Sequence, residues 1–212
     1  MKKKRKQHGR FSMKWSLIAI ICICWILPIV VILLVSSNMI TGNLETQIVK
    51  MVDGSAEYAV DLTQSRVENV FAASRKPSYD PKFREMYLRY KEDGDIISYY
   101  SDMSDYIAIQ YRYDEHFYTT MVYLTDEPEN LYFVLNNDIT GAAFKVLNYK
   151  EHIHAEVQEI AKSMGTEIRL HETEYGLFLV RNIMDSSYRP YAVIVQELNT
   201  DKILQNMGTI PW

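Results

Sequence analysis

The sequence predicts an α+β protein: a single transmembrane helix, a long membrane-proximal helix, then an antiparallel sheet with flanking helices. Three observations carry this reading. Trp15 to Val35 is a run of 21 residues without a charge. From Leu44 to Val70, apolar or small residues recur at helical spacing. Beyond His116 the period changes to short β-branched and aromatic runs broken by turn residues.

As a helix, Trp15–Val35 spans about 31 Å at ~1.5 Å per residue, which matches a hydrocarbon core of about 30 Å. A secretory leader has an apolar core of only about 7–15 residues, so a retained anchor is the expectation. Pro28 removes one backbone bond, which membrane helices tolerate, and Trp15 suits an interfacial aromatic belt. The flank before it carries Lys2, Lys3, Lys4, Arg5, Lys6, Arg10 and Lys14, seven cations and no acid. The positive-inside rule holds that end in the cytoplasm and sends the rest outside. Removing those seven from the formal net charge of −4 leaves −11 for the rest, which argues against a nucleic-acid partner. The two cysteines, Cys22 and Cys24, lie inside the span, so the outer part owes nothing to disulfides. They read as small apolar side chains.

The expected organisation is a basic cytoplasmic tail (1–14), the span (15–36), a membrane-proximal helical region (37–112) and a sheet domain (113–212). In the helical region, Leu44, Ile48, Met51, Ser55, Tyr58 and Leu62 form a stripe close to a heptad. Val52, Ala56, Ala59 and Val67/Val70 form a second stripe beside it. One stripe suits the domain; the other suits a weak homodimer, with Ser55, Ser65 and Asn69 ruling out a strong zipper. The helix is expected to stop before Pro77. A second helix starts with Asp80 as cap and Pro81 at its first position, shows Phe83, Met86, Tyr87 and Tyr90 on one face, and ends at Asp93-Gly94. A third is capped by Asp95, with Ile97, Tyr100, Ser104 and Ile107 expected on its buried side.

In the sheet region "HFYTTMVYLTD" and "LYFVLNN" read as a hairpin joined by "EPEN". "NYKEHIHAEVQEIAKSMG" reads as a helix with Asn148 as cap, Glu151 as the capping-box carboxylate and Gly165 closing it. "TEIRLHE", "LFLVRNIM" and "PYAVIVQEL" are three more strands, with "TEYG" and "DSSYRP" as turns. Leu131–Leu135 and Tyr191–Val195 are apolar on both sides, which implies a sheet covered on both faces.

A membrane-proximal helix leading into two strands, a helix and three antiparallel strands resembles the extracytoplasmic PAS-like domains called Cache. "YLTDEPENLYFV", "LFLVRNIMDSSYRPYAVIVQELNTDKIL" and the terminal "GTIPW" resemble the outer sensor region of YesM-type sensor histidine kinases. That resemblance runs from the basic N-terminus to Trp212 and rests on hydrophobic patterns and turn residues. It implies a second membrane helix, a HAMP linker, a phospho-accepting histidine helix and an ATP-binding domain downstream. The sequence has no second spanning run after Val35 and no nucleotide box, so kinase activity is assigned to no residue here. The expectation is a sensor portion truncated at its C-terminal end, with an incompletely covered sheet.

Candidate sites are few. His152 and His154 stand two apart on a helix, about 200° around it, and cannot share a metal; the face is expected to be solvated. HExxH, a P-loop and GxGxxG are absent, and His116, His171 and Ser186/Ser187 form no recognisable triad. No catalytic residue, metal ligand or cofactor is therefore expected. Arg181 sits in an apolar strand, where a charge needs an acidic partner or a ligand carboxylate. Tyr123, Tyr132 and Tyr191 lie on strands placed to neighbour it, and the four together are the expected ligand-binding set. The favoured function is the outer, sensing part of a membrane receptor for a small solute, peptide or surface partner. The rivals are an anchored accessory subunit of a transporter or envelope complex, and an anchored extracytoplasmic enzyme.

Overall fold

A computed structural model of the chain describes residues 13–136 and 142–207. The chain separates into two compact units, one up to Ser55 and one from Ala56 onward. Helix α1 covers Met13–Tyr79. Its N-terminal part is long and apolar enough to cross a membrane, and its apolar side chains, Leu17, Ile20 and Leu34 among them, are exposed.

In the second unit α1 presents Ala59, Val70, Ala73, Ser74 and Pro77 as its buried residues. The helix does not stop before Pro77 as the sequence suggested; it continues to Tyr79. A proline in the last turn lacks its own N–H, but the Asp80 N–H still reaches the Lys76 carbonyl at 3.0 Å and closes the end. Helix α2 (Pro81–Asp93) starts with the Asp80 carboxylate accepting from the Lys82 N–H, with Pro81 in its first turn. It ends on Gly94, whose φ of 68° is a left-handed cap. Helix α3 (Ile96–Tyr111) is capped by Asp95, which accepts from Ile97 and Ser98. Its buried face is Tyr99, Met103, Tyr106, Ile107 and Tyr111; of the face expected, Ile107 is buried, whereas Ile97 and Tyr100 are 80% and 51% exposed. Tyr99, Tyr106 and Tyr111 supply most of that apolar stripe.

Five strands follow among the described residues: β1 (Phe117–Leu124), β2 (Glu127–Leu135), β3 (Ile168–Thr173), β4 (Gly176–Met184) and β5 (Pro190–Leu198). They form one antiparallel sheet in the order β2-β1-β5-β4-β3. The hairpin joining β1 and β2 turns at Thr125-Asp126, so "EPEN" lies inside β2 and is not the turn. Pro128 is accommodated because β2 is an edge strand and the pairing skips from Tyr123↔Leu131 to Leu124↔Glu127, leaving Pro128 in a bulge.

The helical segment between β2 and β3 is α4 (Ala142–Asn148), a π-helical turn (Tyr149–Ile153) and α5 (His154–Lys162). Asn148 is not a cap: its φ and ψ of −58° and −41° are helical and its side chain makes no capping bond. Glu151 consequently has no capping box to complete. The helix begins earlier, at Ala142, and the π-turn re-aims the residues after it. His154 is thereby buried, so the solvated face expected of "KEHIHAEVQ" holds only on the His152 side. A short helix α6 (Thr200–Ile203), capped by Asn199, follows β5.

Strand alternation distributes the core between two faces. Toward α1–α3 point Val122, Leu124, Leu179, Ile183, Ala192 and Ile194, packed with Phe83, Met103 and Tyr111 of the helices. Toward α4–α5 point Met121, Tyr123, Phe178, Val180, Val193 and Val195, packed with Tyr149, Ile153, Val157 and Ala161. A sheet with both faces buried explains the near-continuous apolar runs of β1, β4 and β5.

Candidate functional site

Asn182 is the one amide side chain in the apolar run of β4, and alternation sends it to the α5 face. Its Nδ2 donates to the carbonyls of Ala161 and Met164, at 2.8 and 2.9 Å, as α5 gives way to the turn before β3. Two carbonyl partners admit only the amino group, so the amide orientation is settled and the free atom is the carbonyl oxygen. That Oδ1 is buried and has no hydrogen-bond partner among the described residues.

Val193 of β5 pairs with Asn182 on one side and with Tyr123 of β1 on the other, so the three form a row across the sheet. Tyr123 is 2% exposed, and its hydroxyl also lacks a partner among the described residues. Burial raises its pKa, so it stays a neutral phenol able to donate and to accept. An acceptor and a phenol thus flank Val193, about 10 Å apart at their backbones. Over this row lies a cleft of about 320 Å³, walled by Gln158, Ala161 and Lys162 of α5, with Thr125, Pro128 and Pro190 at one end.

His154 shapes that end. Its Nε2 lies 2.8 Å from the Pro128 carbonyl and its Nδ1 3.1 Å from the Tyr149 hydroxyl. A carbonyl only accepts, so Nε2 carries the proton, and in the neutral ring Nδ1 accepts from Tyr149. The imidazole also stands edge-on to Tyr123, with centroids 5.1 Å apart. Both nitrogens are engaged, so His154 braces the β2 bulge.

The four residues expected to form a site are not brought together. Arg181 points to the other face, where its guanidinium donates to Ser74 Oγ of α1 and the Thr166 carbonyl, each at 3.3 Å. It is 9% exposed, and no carboxylate pairs with it among the described residues. Burial, then the nearby Arg75 charge, lower its pKa. Tyr132 shares that face and even its row, since Tyr132↔Val122↔Ile194↔Arg181 run in register, but two strands lie between them. The Tyr132 ring packs on Tyr99 and Tyr100, at 5.3 and 5.5 Å. Tyr191 is the extra residue where the register slips between Ile183↔Ala192 and Met184↔Pro190, and it packs 4.5 Å from Tyr87. Tyr123 alone lines the α5-side cleft. Asn182 was missed; the sequence signal was its place beside Arg181 in "LFLVRNIM", where alternation must send one of the two polar residues to each face.

Elsewhere His171 meets Glu156 at 3.0 Å and His152 stacks on Tyr175. Among the described residues no group of three or more His, Cys, Asp or Glu is placed to hold a metal ion. Of the stripe proposed for self-association, Leu44, Ile48, Met51 and Tyr58 are exposed and Leu62 is half-buried. No protein-family model matches the chain, and no curated protein matches it.

Proposed function

We propose that this chain is the ligand-sensing outer part of a membrane receptor, akin to the Cache-type sensor region of a YesM-type histidine kinase. The observation that carries the reading is the cleft over Tyr123, Val193 and Asn182. A dominantly apolar cleft of this size, walled by Pro128, Pro190, Val193 and Ala161, has the usual form of a small-solute site. The order of elements and the turn residues quoted above support the Cache resemblance; the long apolar N-terminal helix and its basic flank support an anchor with the sheet domain outside.

In this reading a small solute in the cleft biases β5, which forms its floor. β5 runs directly into α6, and Arg66 of α1 donates to the carbonyls of Lys202 and Ile203 in α6, at 2.8 and 3.4 Å. That latch couples the end of β5 to α1 within the same unit, so ligand occupancy shifts a two-state contact. Weak self-association through Leu44, Ile48, Met51, Tyr58 and Leu62 belongs to the same proposal. The alternative is an anchored accessory subunit, in which the sheet domain docks a partner and the cleft stays unused.

The test is thermal unfolding of the full chain in lipid nanodiscs against a panel of sugars, amino acids and short peptides. A sensor is stabilised by members of that panel, and Gln158→Trp, which fills the cleft from its half-buried rim, removes the effect. Stabilisation that survives Gln158→Trp would place the ligand elsewhere, and stable capture of a transporter subunit without any solute response would select the accessory role.

A further inference from the structure

We infer that Arg181 and Arg75 form an oxyanion site on the α1 side of the sheet, taking a small doubly charged anion of the sulfate or phosphate kind. The site lies on the face opposite the cleft and does not depend on the sensing role.

A guanidinium withdrawn from water needs an anion beside it. Arg181 is 9% exposed, yet its two bonds go to neutral acceptors, the Ser74 hydroxyl and the Thr166 carbonyl, each at 3.3 Å. The titratable groups that act on it are Arg75 and Tyr79, with no carboxylate among them. Glu167, the residue after Thr166, is turned away, its carboxylate accepting from the Gly165 N–H at 2.9 Å. Arg75 adds a second positive charge. It follows Ser74 in α1, is exposed, and has no ion pair or hydrogen bond among the described residues. The positions one helical turn away are Phe71, Ala72, Ser78 and Tyr79, so α1 offers it no acid. The carbonyl end of the helix offsets only about half a unit of charge. Two cations therefore stand together against no whole negative charge.

Both side chains have donors to give, and both reach solvent. Arg181 uses Nη1 and Nη2 for its two bonds, and Nε makes none. That Nε is not one of the sealed, partnerless polar atoms of the core, which include the Tyr99 and Tyr132 hydroxyls, so it meets solvent. The reach to Thr166, just ahead of the edge strand β3, brings the guanidinium to the margin of the sheet. Arg75 presents its whole fork from the exposed side of α1. Two guanidiniums hold a doubly charged oxyanion through charge-assisted bonds and are neutralised by it, whereas a singly charged anion leaves one positive charge over. An anion shared in this way ties α1 to β4 beside the Ser74 contact.

The test is thermal unfolding of the full chain in phosphatidylcholine nanodiscs at alkaline pH, with sulfate, phosphate, acetate or chloride added at matched ionic strength. We expect sulfate and phosphate to raise the unfolding temperature saturably at low concentration, where general salting-out is negligible. Acetate and chloride should act at least about tenfold more weakly. Arg75→Gln, a change at an exposed position that leaves the fold intact, should weaken sulfate about tenfold. Arg181→Met should abolish the saturable response, and Lys150→Gln, in the π-helical turn on the other face, should leave it unchanged. Nanodiscs that carry phosphatidic acid present the same group on a lipid; stabilisation there that Arg75→Gln removes supports the site with a headgroup as its source. Acetate acting as strongly as sulfate overturns the double charge. A response that never saturates, or that Arg75→Gln and Arg181→Met both leave intact, is a general salt effect and overturns the site, as does the absence of any response. None of these results bears on the cleft, which Gln158→Trp tests separately.

Discussion

The Tyr111 hydroxyl of α3 donates to the Ala73 carbonyl of α1 at 3.0 Å, and Ala73 is the residue whose helical partner would have been the N–H of Pro77. Proline has no N–H and would leave that buried carbonyl orphaned. Tyr111 repairs the helix from a neighbouring element, and α1 continues to Tyr79 as a result.

This relationship is testable as a cycle. Tyr111→Phe should destabilise the domain by about 1–3 kcal/mol, the cost of one buried unpaired carbonyl. Pro77→Ala supplies the missing N–H, so the same Tyr111→Phe change should cost less in the Pro77→Ala background. Denaturant unfolding of the four proteins measures the coupling. Equal costs in both backgrounds would show that Tyr111 acts by packing alone.

Arg181 is a buried cation held by two long hydrogen bonds and no acid. Replacing such a charge with an apolar side chain of similar length is often neutral or stabilising. We expect Arg181→Met to change unfolding free energy by less than about 1 kcal/mol in either direction. A loss beyond about 3 kcal/mol would mean that the bonds to Ser74 and Thr166 are indispensable.

Glu197 is 2% exposed and is paired with Lys145 of α4, which also stands over the Tyr118 ring. Burial raises its pKa above the ordinary 4.5 despite the Lys145 hydrogen bond and charge. The folded state therefore holds this proton more tightly than the unfolded one. The stabilisation is complete below the ordinary value and is lost as pH rises through the raised one. Relative to Glu197→Gln, the native chain should lose stability as pH climbs across that window. Urea midpoints at a series of pH values follow it, and a difference that grows in the opposite direction would contradict the burial argument.

The topology proposed for the N-terminal segment has its own measurement. External protease on intact cells should remove the sheet domain and leave a short basic stub in the membrane. A sheet domain protected in intact cells, yet cleaved once they are permeabilised, would reverse the orientation drawn from the charge bias.

Composition and local pattern alone determined the apolar helix, its basic flank, the Asp80 and Asp95 caps, the Gly94 stop and the five strands, because each depends on neighbours within a turn or on alternation. Tertiary structure decided the rest. Pro77 looked like a helix end because its repair comes from Tyr111, 34 positions away in the sequence. Pro128 looked like a turn because its tolerance depends on β2 lying at the sheet edge. Tyr123 looked like a neighbour of Arg181 because strand register, which fixes the face of every side chain, is set by pairing between strands. The same register placed Asn182 beside Val193 and Tyr123, and so made the cleft. A side chain's donors can be read from its residue type, but whether they are already spent depends on contacts with distant segments.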